Sequence, residues 1–428
     1  MDEEPAAAPE PLTDHPQDPS GSVGATGGSG DAELPVALQS PPSHRRRRRV
    51  LTRRRIPGLV AAVLVLAVCA AAVLVPVPYV VESPGPTFDV IGASGDTPMI
   101  DISGTDPSTG RPVEVDPVGE DTGALRMVTV YETGGPGSRL NFIELAQAWF
   151  DGQDRIVPYD QAYPADVTQE QIDEASAAQM QSSQSTAGVA ALEELGWTVP
   201  ATVTIQGAVS GTDAEGEVEE GDTMVALTTP DGVTHPVDSA SVPFAVMRTQ
   251  PVGSKVVVTI ERDGRKSDVT IASVSGGTGT TGSKLGIYLT ADVDMPLDIT
   301  IHLEKVGGPS AGMMFALGII DRLTPGDMTG GQSIAGTGAL DYDGGVEPIG
   351  GIQQKMWGAV RDGATWFLAP STNCDEVVGH VPDGLSVVKV STLEEARTAV
   401  GKIAAGQGDT LPTCTEKDAE ELESGSAG

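Results

Sequence analysis

Two residues in the C-terminal third have the type and setting for hydrolytic chemistry. Ser310 follows Gly307, Gly308 and Pro309 and precedes an apolar run (Ala311, Met313, Met314, Ala316, Leu317, Ile319, Ile320). That run predicts a buried helix ending before Pro325-Gly326. A serine at the first turn of such a helix has small neighbours that let a peptide backbone approach. The free amides of the helix start can also stabilise a developing oxyanion. Alone, it reads equally well as a helix cap. Lys355 is flanked by Ile352, Met356 and Trp357. A lysine desolvated by such neighbours loses basicity and can serve as general base toward a serine, whereas on an exposed helix face it is only a solvated charge.

These side chains need elements to hold them. Leu297–Leu303 alternates as a strand, and Ser333–Leu340, which includes Thr337, reads as another. Asp343-Gly344-Gly345 predicts a turn, Gly350-Gly351 opens the helix that carries Lys355, and Trp366–Leu368 reads as the next strand. His302 falls within a strand pattern and reads as packing rather than as a triad base, and His380 offers no partner set. Asp292, Asp294 and Asp298 read as a solvated acidic face, so no metal site is expected.

GPSAG (Gly308–Gly312) before a long helix, then GTGAL (Gly336–Leu340) and DGGVEPIGGIQQK (Asp343–Lys355), closely resembles the proteolytic domain of Lon proteases. The match runs over roughly residues 285–400. The resemblance implies a compact α/β domain with Ser310 as nucleophile and Lys355 as its base, later returning the proton to the leaving amine. It implies Thr337 beside the dyad, orienting Lys355, and the Gly307, Gly308 to Ser310 backbone near the oxyanion. Two departures stand out: Gly307 replaces the acidic residue many members carry, and the stretch from Ser310 to Thr337 is slightly longer. Peptidase activity in that family is ATP-dependent at large, but its ATPase module has no counterpart here. The expectation is therefore a serine endopeptidase that needs no cofactor or nucleotide. It would act on polypeptide substrates, with ring-shaped homo-oligomers common among relatives.

Upstream, residues 199–275 alternate as strands: Thr202–Val209, Thr223–Leu227, Lys255–Arg262 and Lys266–Val274, the last two joined by a turn at Asp263-Gly264. With the helix-like Val242–Arg248, this stretch resembles the second half of a PDZ domain, a fold that takes peptides by adding a strand to a sheet edge. The loop that would hold a terminal carboxylate is not obvious; Leu195-Gly196-Trp197 is one candidate. Gly276–Ser283 reads as a flexible linker. A phosphate loop is excluded there, because Gly282-Ser283-Lys284 places the lysine out of order.

The chain has 428 residues, a net charge of −34 and 4% aromatics. The acidity argues against nucleic acid as a partner. Residues 1–55 are Pro/Gly/Ala-rich and sum to about zero, since eight arginines between Arg45 and Arg55 offset the acids. They read as a disordered tail with a basic collar. An uncharged stretch from Ile56 to Val81 follows, stopped by Pro76 and Pro78. The collar places the N-terminus in the cytoplasm and the body outside. A cleaved signal peptide would be shorter, and a lipoprotein signal at Cys69 is weak because Val68 precedes it. Cys374 and Cys414 then both lie in an oxidising compartment, where a disulfide between them would tie the C-terminal tail to the domain.

The order anchor, PDZ-like region, Lon-like region, with PYVVESPGPTFDV after the anchor, is similar to that of bacterial membrane-anchored PDZ-containing Lon-type proteases. The expected fold is multidomain α+β. It comprises a transmembrane helix (56–78), an extracytoplasmic α/β region (79–195), a PDZ-like β-rich domain (196–275) and a linker (276–284). A Lon-type proteolytic domain (285–405) and a polar tail (406–428) complete it. The expected function is ATP-independent cleavage of extended extracytoplasmic segments by a Ser–Lys dyad, with substrates chosen by the PDZ-like domain. The rival from another class is a non-catalytic envelope scaffold.

Overall fold

The computed structural model describes residues 56–426 except Asp96, Glu120, Asp121, Ala165, Asp166, Thr278, Glu304 and Lys305. The expected tail and its arginine collar lie outside the described residues. The first element is helix α1 (Ile56–Leu74), whose apolar stretch Pro57–Leu74 is long enough to cross a membrane. It ends earlier than the expected 78. Val77 already donates to the Leu140 carbonyl (2.8 Å), and Pro76 forms a bridge with Asn141.

The chain then lays down β1 (Tyr79–Asp89), β2 (Ile100–Gly104), β3 (Ala124–Thr133) and β4 (Arg155–Pro158), followed by helix α2 (Gln169–Glu194). Thr168 and Gln171 close α2 with a capping box, and Gly196 follows its end with φ 84°. The next strands are β5 (Ala201–Ala208), β6 (Thr223–Thr228), β7 (Lys255–Arg262), β8 (Arg265–Ala272) and β9 (Ile287–Val293), with helix α3 (Val242–Arg248) between β6 and β7. The last third holds β10 (Leu297–Ile301), helix α4 (Gly312–Arg322), β11 (Ser333–Gly336), β12 (Ala339–Leu340), β13 (Val346–Glu347) and helix α5 (Ile352–Arg361). It closes with β14 (Trp366–Pro370), β15 (Ser386–Val390), helix α6 (Leu393–Ala404) and helix α7 (Glu416–Ser426).

Two main sheets organise these elements. One has the order β15-β14-β11-β3-β1-β4, parallel from β15 to β3 and antiparallel beyond. Helices α2, α4 and α6 share a core on one face, where every residue of α4 is buried. Helix α5 covers the other face, with Ile352, Met356 and Ala359 against Val128, Ala335 and Phe367. The second sheet, β8-β7-β6-β5-β9, is antiparallel, has its own core around Ile205, Leu227, Val258 and Ile271, and ends on β9.

Sheet membership corrects the expected boundaries. Strands β1, β3 and β4 of the 79–195 region belong to the same sheet as β11, β14 and β15, and β2 pairs with β10. That region therefore shares its main sheet with the C-terminal third of the chain. Strand β9, assigned to the Lon-like domain, pairs along its length with β5, so the β-rich sheet is an insertion running to Val293. The expected linker is packed: Ser283 is buried, and Val274 and Lys284 exchange backbone bonds (2.7 and 2.9 Å). The tail beyond 405 also carries structure. Cys374 and Cys414 are bonded, Cα atoms 5.1 Å apart, and Leu422 of α7 is buried.

Candidate active site

Ser310 lies just before α4, on a loop held from behind by α2. Gly308 donates its amide to the Ser176 carbonyl (3.0 Å), and Ser183 Oγ donates to the Pro309 carbonyl (3.0 Å). Gly308 has φ 85°, a conformation that side-chain-bearing residues rarely adopt. Within the expected oxyanion neighbourhood of Gly307 to Ser310, the Gly308 amide is thus already engaged. Among the described residues the amides of Ser310 and Ala311 have no acceptor, and they flank the hydroxyl. Gly307 sits against Ser176, where a Cβ would come within 2.6 Å of the serine Cβ. Nothing in the sequence pointed to Ser176 or Ser183.

Thr337 explains why the expected strand 333–340 is broken. Strand β11 stops at Gly336. The chain then turns so that Thr337 Oγ1 donates to the Ser310 carbonyl (2.9 Å), as does the Gly338 amide (2.9 Å). Helix α5 starts at Gly351, which has φ 67° and sits so close to Val130 that a Cβ would lie 2.7 Å from its Cγ2. This start aims Lys355 inward. Its Nζ donates to Thr337 Oγ1 (3.2 Å), and the residue is only 4% exposed. Burial pulls the ammonium down to about 8, against the carboxylates of Glu376 and Glu82, which favour the charged form. Among the described residues there is no direct hydrogen bond between the Lys355 and Ser310 side chains; the connection runs through Thr337.

Ser310, Lys355, Gly307 and Gly351 line one cleft of about 660 Å³, walled by β3 from Met127 to Glu132 and by Met180 and Val306. Strand β11 pairs with β3 only as far as Met127, so beyond that point one edge of β3 faces the cleft without a strand partner among the described residues. Glu82 and Glu132, directly opposite each other on β1 and β3, also line it. Burial first, and the Glu82 charge second, raise the Glu132 carboxyl, which accepts from the Tyr163 hydroxyl. Sequence reading missed both acids. His302 and His380 are exposed and make no contact with Ser310, Asp292, Asp294 and Asp298 are exposed, and among the described residues no group of His, Cys, Asp and Glu is arranged to hold a metal.

Residues 252–400 match the family model described as the Lon protease (S16) C-terminal proteolytic domain. The chain carries a Lon-type proteolytic domain. Similar curated proteins include Lon protease 2 of Herpetosiphon aurantiacus, 37% identical over 106 residues, and Lon protease 1 of Bacillus subtilis, 31% identical over 155 residues. These alignments cover 23% and 34% of this chain but only 13% and 19% of the relatives' own length. The Lon-type match begins inside the inserted sheet and leaves β1, β3 and β4 outside, although those strands share a sheet with β11, β14 and β15. Among solved structures, the PDZ domain of an SdrC-like protein from Listeria monocytogenes is a neighbour at 17% identity. It covers 21% of this chain and 86% of its own, with a TM-score of 0.18.

A second cavity, of about 480 Å³, lies on the inserted sheet between α3 and the free edge of β9. At its end, the amides of Leu285 and Gly286 have no acceptor among the described residues. This Leu-Gly-Ile turn, entering an alternating strand, lies far along the chain from Leu195-Gly196-Trp197, where the sequence offered a candidate loop. Those residues instead terminate α2. The Lon-type domain closes this end of the groove with the hairpin β12–β13. Arg248 of α3 grips Asp343 with two bonds (2.7 and 2.5 Å), and Lys284 lies 3.6 Å from Glu347.

Proposed function

We propose that this chain is a membrane-anchored serine endopeptidase in which Ser310 is the nucleophile and Lys355 the general base. The observation that carries the reading is the buried Lys355–Thr337–Ser310 chain opening into a single cleft. Near neutral pH a lysine held at about 8 has a usable neutral fraction. Neutral Lys355 takes the Ser310 hydroxyl proton as Oγ bonds to the scissile carbonyl carbon. The carbonyl oxygen becomes an oxyanion facing the Ser310 and Ala311 amides. The C–N bond then breaks as Lys355 returns the proton to the leaving amine. Water, deprotonated by Lys355, releases the acyl group in the same way. Thr337 acts by holding Nζ while anchoring the loop through the Ser310 carbonyl.

The unpaired edge of β3 supports a substrate bound in extended form, since a polypeptide can add there as a strand across the cleft. Such a cleft suits segments that are already unfolded, and the reading includes independence from nucleotide. The groove beside β9 supports substrate selection through a polypeptide C-terminus, with Leu285 and Gly286 amides receiving the carboxylate. Helix α1 supports an anchor, and the arginines before it favour a cytoplasmic N-terminus.

The test is cleavage of an unfolded protein without nucleotide by the detergent-solubilised chain, read by mass spectrometry, beside Ser310→Ala and Lys355→Ala. Fragments from the wild type alone support the dyad. Equal cleavage by either variant would overturn it, and silence from a correctly folded wild type across unfolded and membrane-borne substrates would return the scaffold reading.

A further inference from the structure

The groove beside β9 is bounded by the inserted sheet on two sides and by the Lon-type hairpin on a third. Asp341 and Glu347 face it from that hairpin, hydrogen-bonded to each other. The charged groups around Asp341 are Glu347 on β13, Asp343 in the turn, Lys284 in the loop before β9 and Arg248 on α3. Arg248 is committed to Asp343, leaving Lys284 as the cation beside the two remaining acids among the described residues. A peptide carboxylate entering at Leu285 and Gly286 would add negative charge to a wall that is already short of positive charge.

Two further polar groups in this cavity lack partners among the described residues. Ser283 Oγ, on a residue 5% exposed, and Thr372 Oγ1 have no hydrogen-bond partner there, and both residues line the cavity. Buried hydroxyls without partners are uncommon and gain from a ligand that supplies one. The arrangement therefore lacks positive charge and offers hydrogen-bonding groups from both sides of the cavity.

We infer that this is a composite recognition site in which Asp341 and Glu347 of the proteolytic domain select polypeptide C-termini bearing a lysine or arginine close to the terminal carboxylate. This rests on the reading of the groove as a C-terminus site. The inserted sheet supplies the strand edge and the carboxylate amides, while the proteolytic domain supplies the side-chain preference. The raised carboxyl of Asp341, pushed up to about 7 by burial and by Glu347, fits a pair waiting for an external cation.

The experiment uses the full-length chain carrying Ser310→Ala, in detergent micelles, so that peptides bind without being cut. Fluorescent decapeptides with an apolar last residue carry Lys, Ala or Glu at each of the preceding three positions, and an amidated version removes the carboxylate. Polarisation should show the Lys peptide binding at least about tenfold tighter than the Glu peptide at one of these positions. Asp341→Asn with Glu347→Gln should bring that ratio near one, while the Ala peptide changes by less than about threefold. The ratio in the chain carrying Ser310→Ala alone should also shrink as pH falls from 8.5 to 6, which requires no further substitution. Binding with no Lys preference, or a preference that survives both Glu347→Gln alone and the double variant, overturns the selection while leaving the groove intact. Binding that is absent, or indifferent to amidation, overturns the groove reading itself.

Discussion

The two cavities of this chain are built from different parts of the polypeptide. The cleft at Ser310 depends on side chains: a buried lysine, a threonine and a serine brought together from α5, the end of β11 and the start of α4. The groove beside β9 depends first on backbone, namely one strand edge and the amides of Leu285 and Gly286, which are unpaired among the described residues. The proposed bond breaking needs groups whose proton affinity can be set by their surroundings, and burial of Lys355 lowers its own. Holding an extended chain needs only donors and acceptors at strand spacing. Substitutions that touch one set should therefore leave the other working.

The widest separation is expected from Ser310→Ala. Hydrolysis should fall by about 10⁴-fold or more, with affinity for C-terminal peptides unchanged within experimental error. A variant that lost both together would show the two cavities to be one functional unit. Thr337→Val comes next. It strands Lys355 Nζ and removes one of two donors to the Ser310 carbonyl, so kcat should drop about 10- to 100-fold with little change in KM. Thr337→Ser should restore most of it, and failure of that rescue would argue that the methyl group rather than the hydroxyl matters.

The Lys355 equilibrium sharpens the contrast through pH. In the fold its proton affinity is lowered to about 8 from the ordinary 10.5. Between these values the unfolded chain holds the proton and the folded chain does not, so stability rises with pH from about 8 to 10.5. Below 8 the full cost, on the order of 3 kcal/mol, is present. Lys355→Met should therefore raise Tm at pH 7 while abolishing cleavage, and the wild-type rate should climb along a limb centred near pH 8. A rate independent of pH from 6 to 9 would remove the lysine from the role of base.

Gly286→Val attacks the groove instead. A Cβ there would sit 2.8 Å from the Thr212 side chain, on a backbone with φ 69°. Peptide affinity should fall by about tenfold or more, whereas hydrolysis of a short unstructured peptide should stay within about twofold. Replacing Cys374 and Cys414 by alanine affects neither cavity directly. It should lower stability by about 2–4 kcal/mol, as expected for opening a loop of this length, a loss visible in Tm before and after reduction.

The sequence carried these two regions unequally. Ser310, Lys355 and Thr337 were legible because each sits in a short motif with glycines whose chemistry can be argued locally. The strands and helix of the insertion were legible too, since alternation and the Asp263-Gly264 turn are local signals. The groove loop was hidden because Gly276–Ser283 has the composition of a linker, and composition says nothing of packing. The role of residues 79–195 was hidden for another reason. Pairing of Leu125 with Ile334, or of Ile100 with Ile301, joins segments on either side of the insertion. No local pattern encodes such partners. The engaged amide of Gly308 likewise depends on Ser176, a residue with no motif of its own.

The interruption of the catalytic sheet by the inserted one also bears on the timing of biosynthesis. Strands β1 and β3 leave the ribosome early, but their partners β11, β14 and β15 and both dyad residues come only after the insertion. The inserted sheet closes on contacts within its own span and can fold as soon as β9 is made. The catalytic sheet must keep its first half waiting until residue 390 has been made. On the proposed reading, the nascent chain would have its recognition groove before its cutting cleft, and would gain the power to digest its neighbours only when synthesis of the sheet is complete.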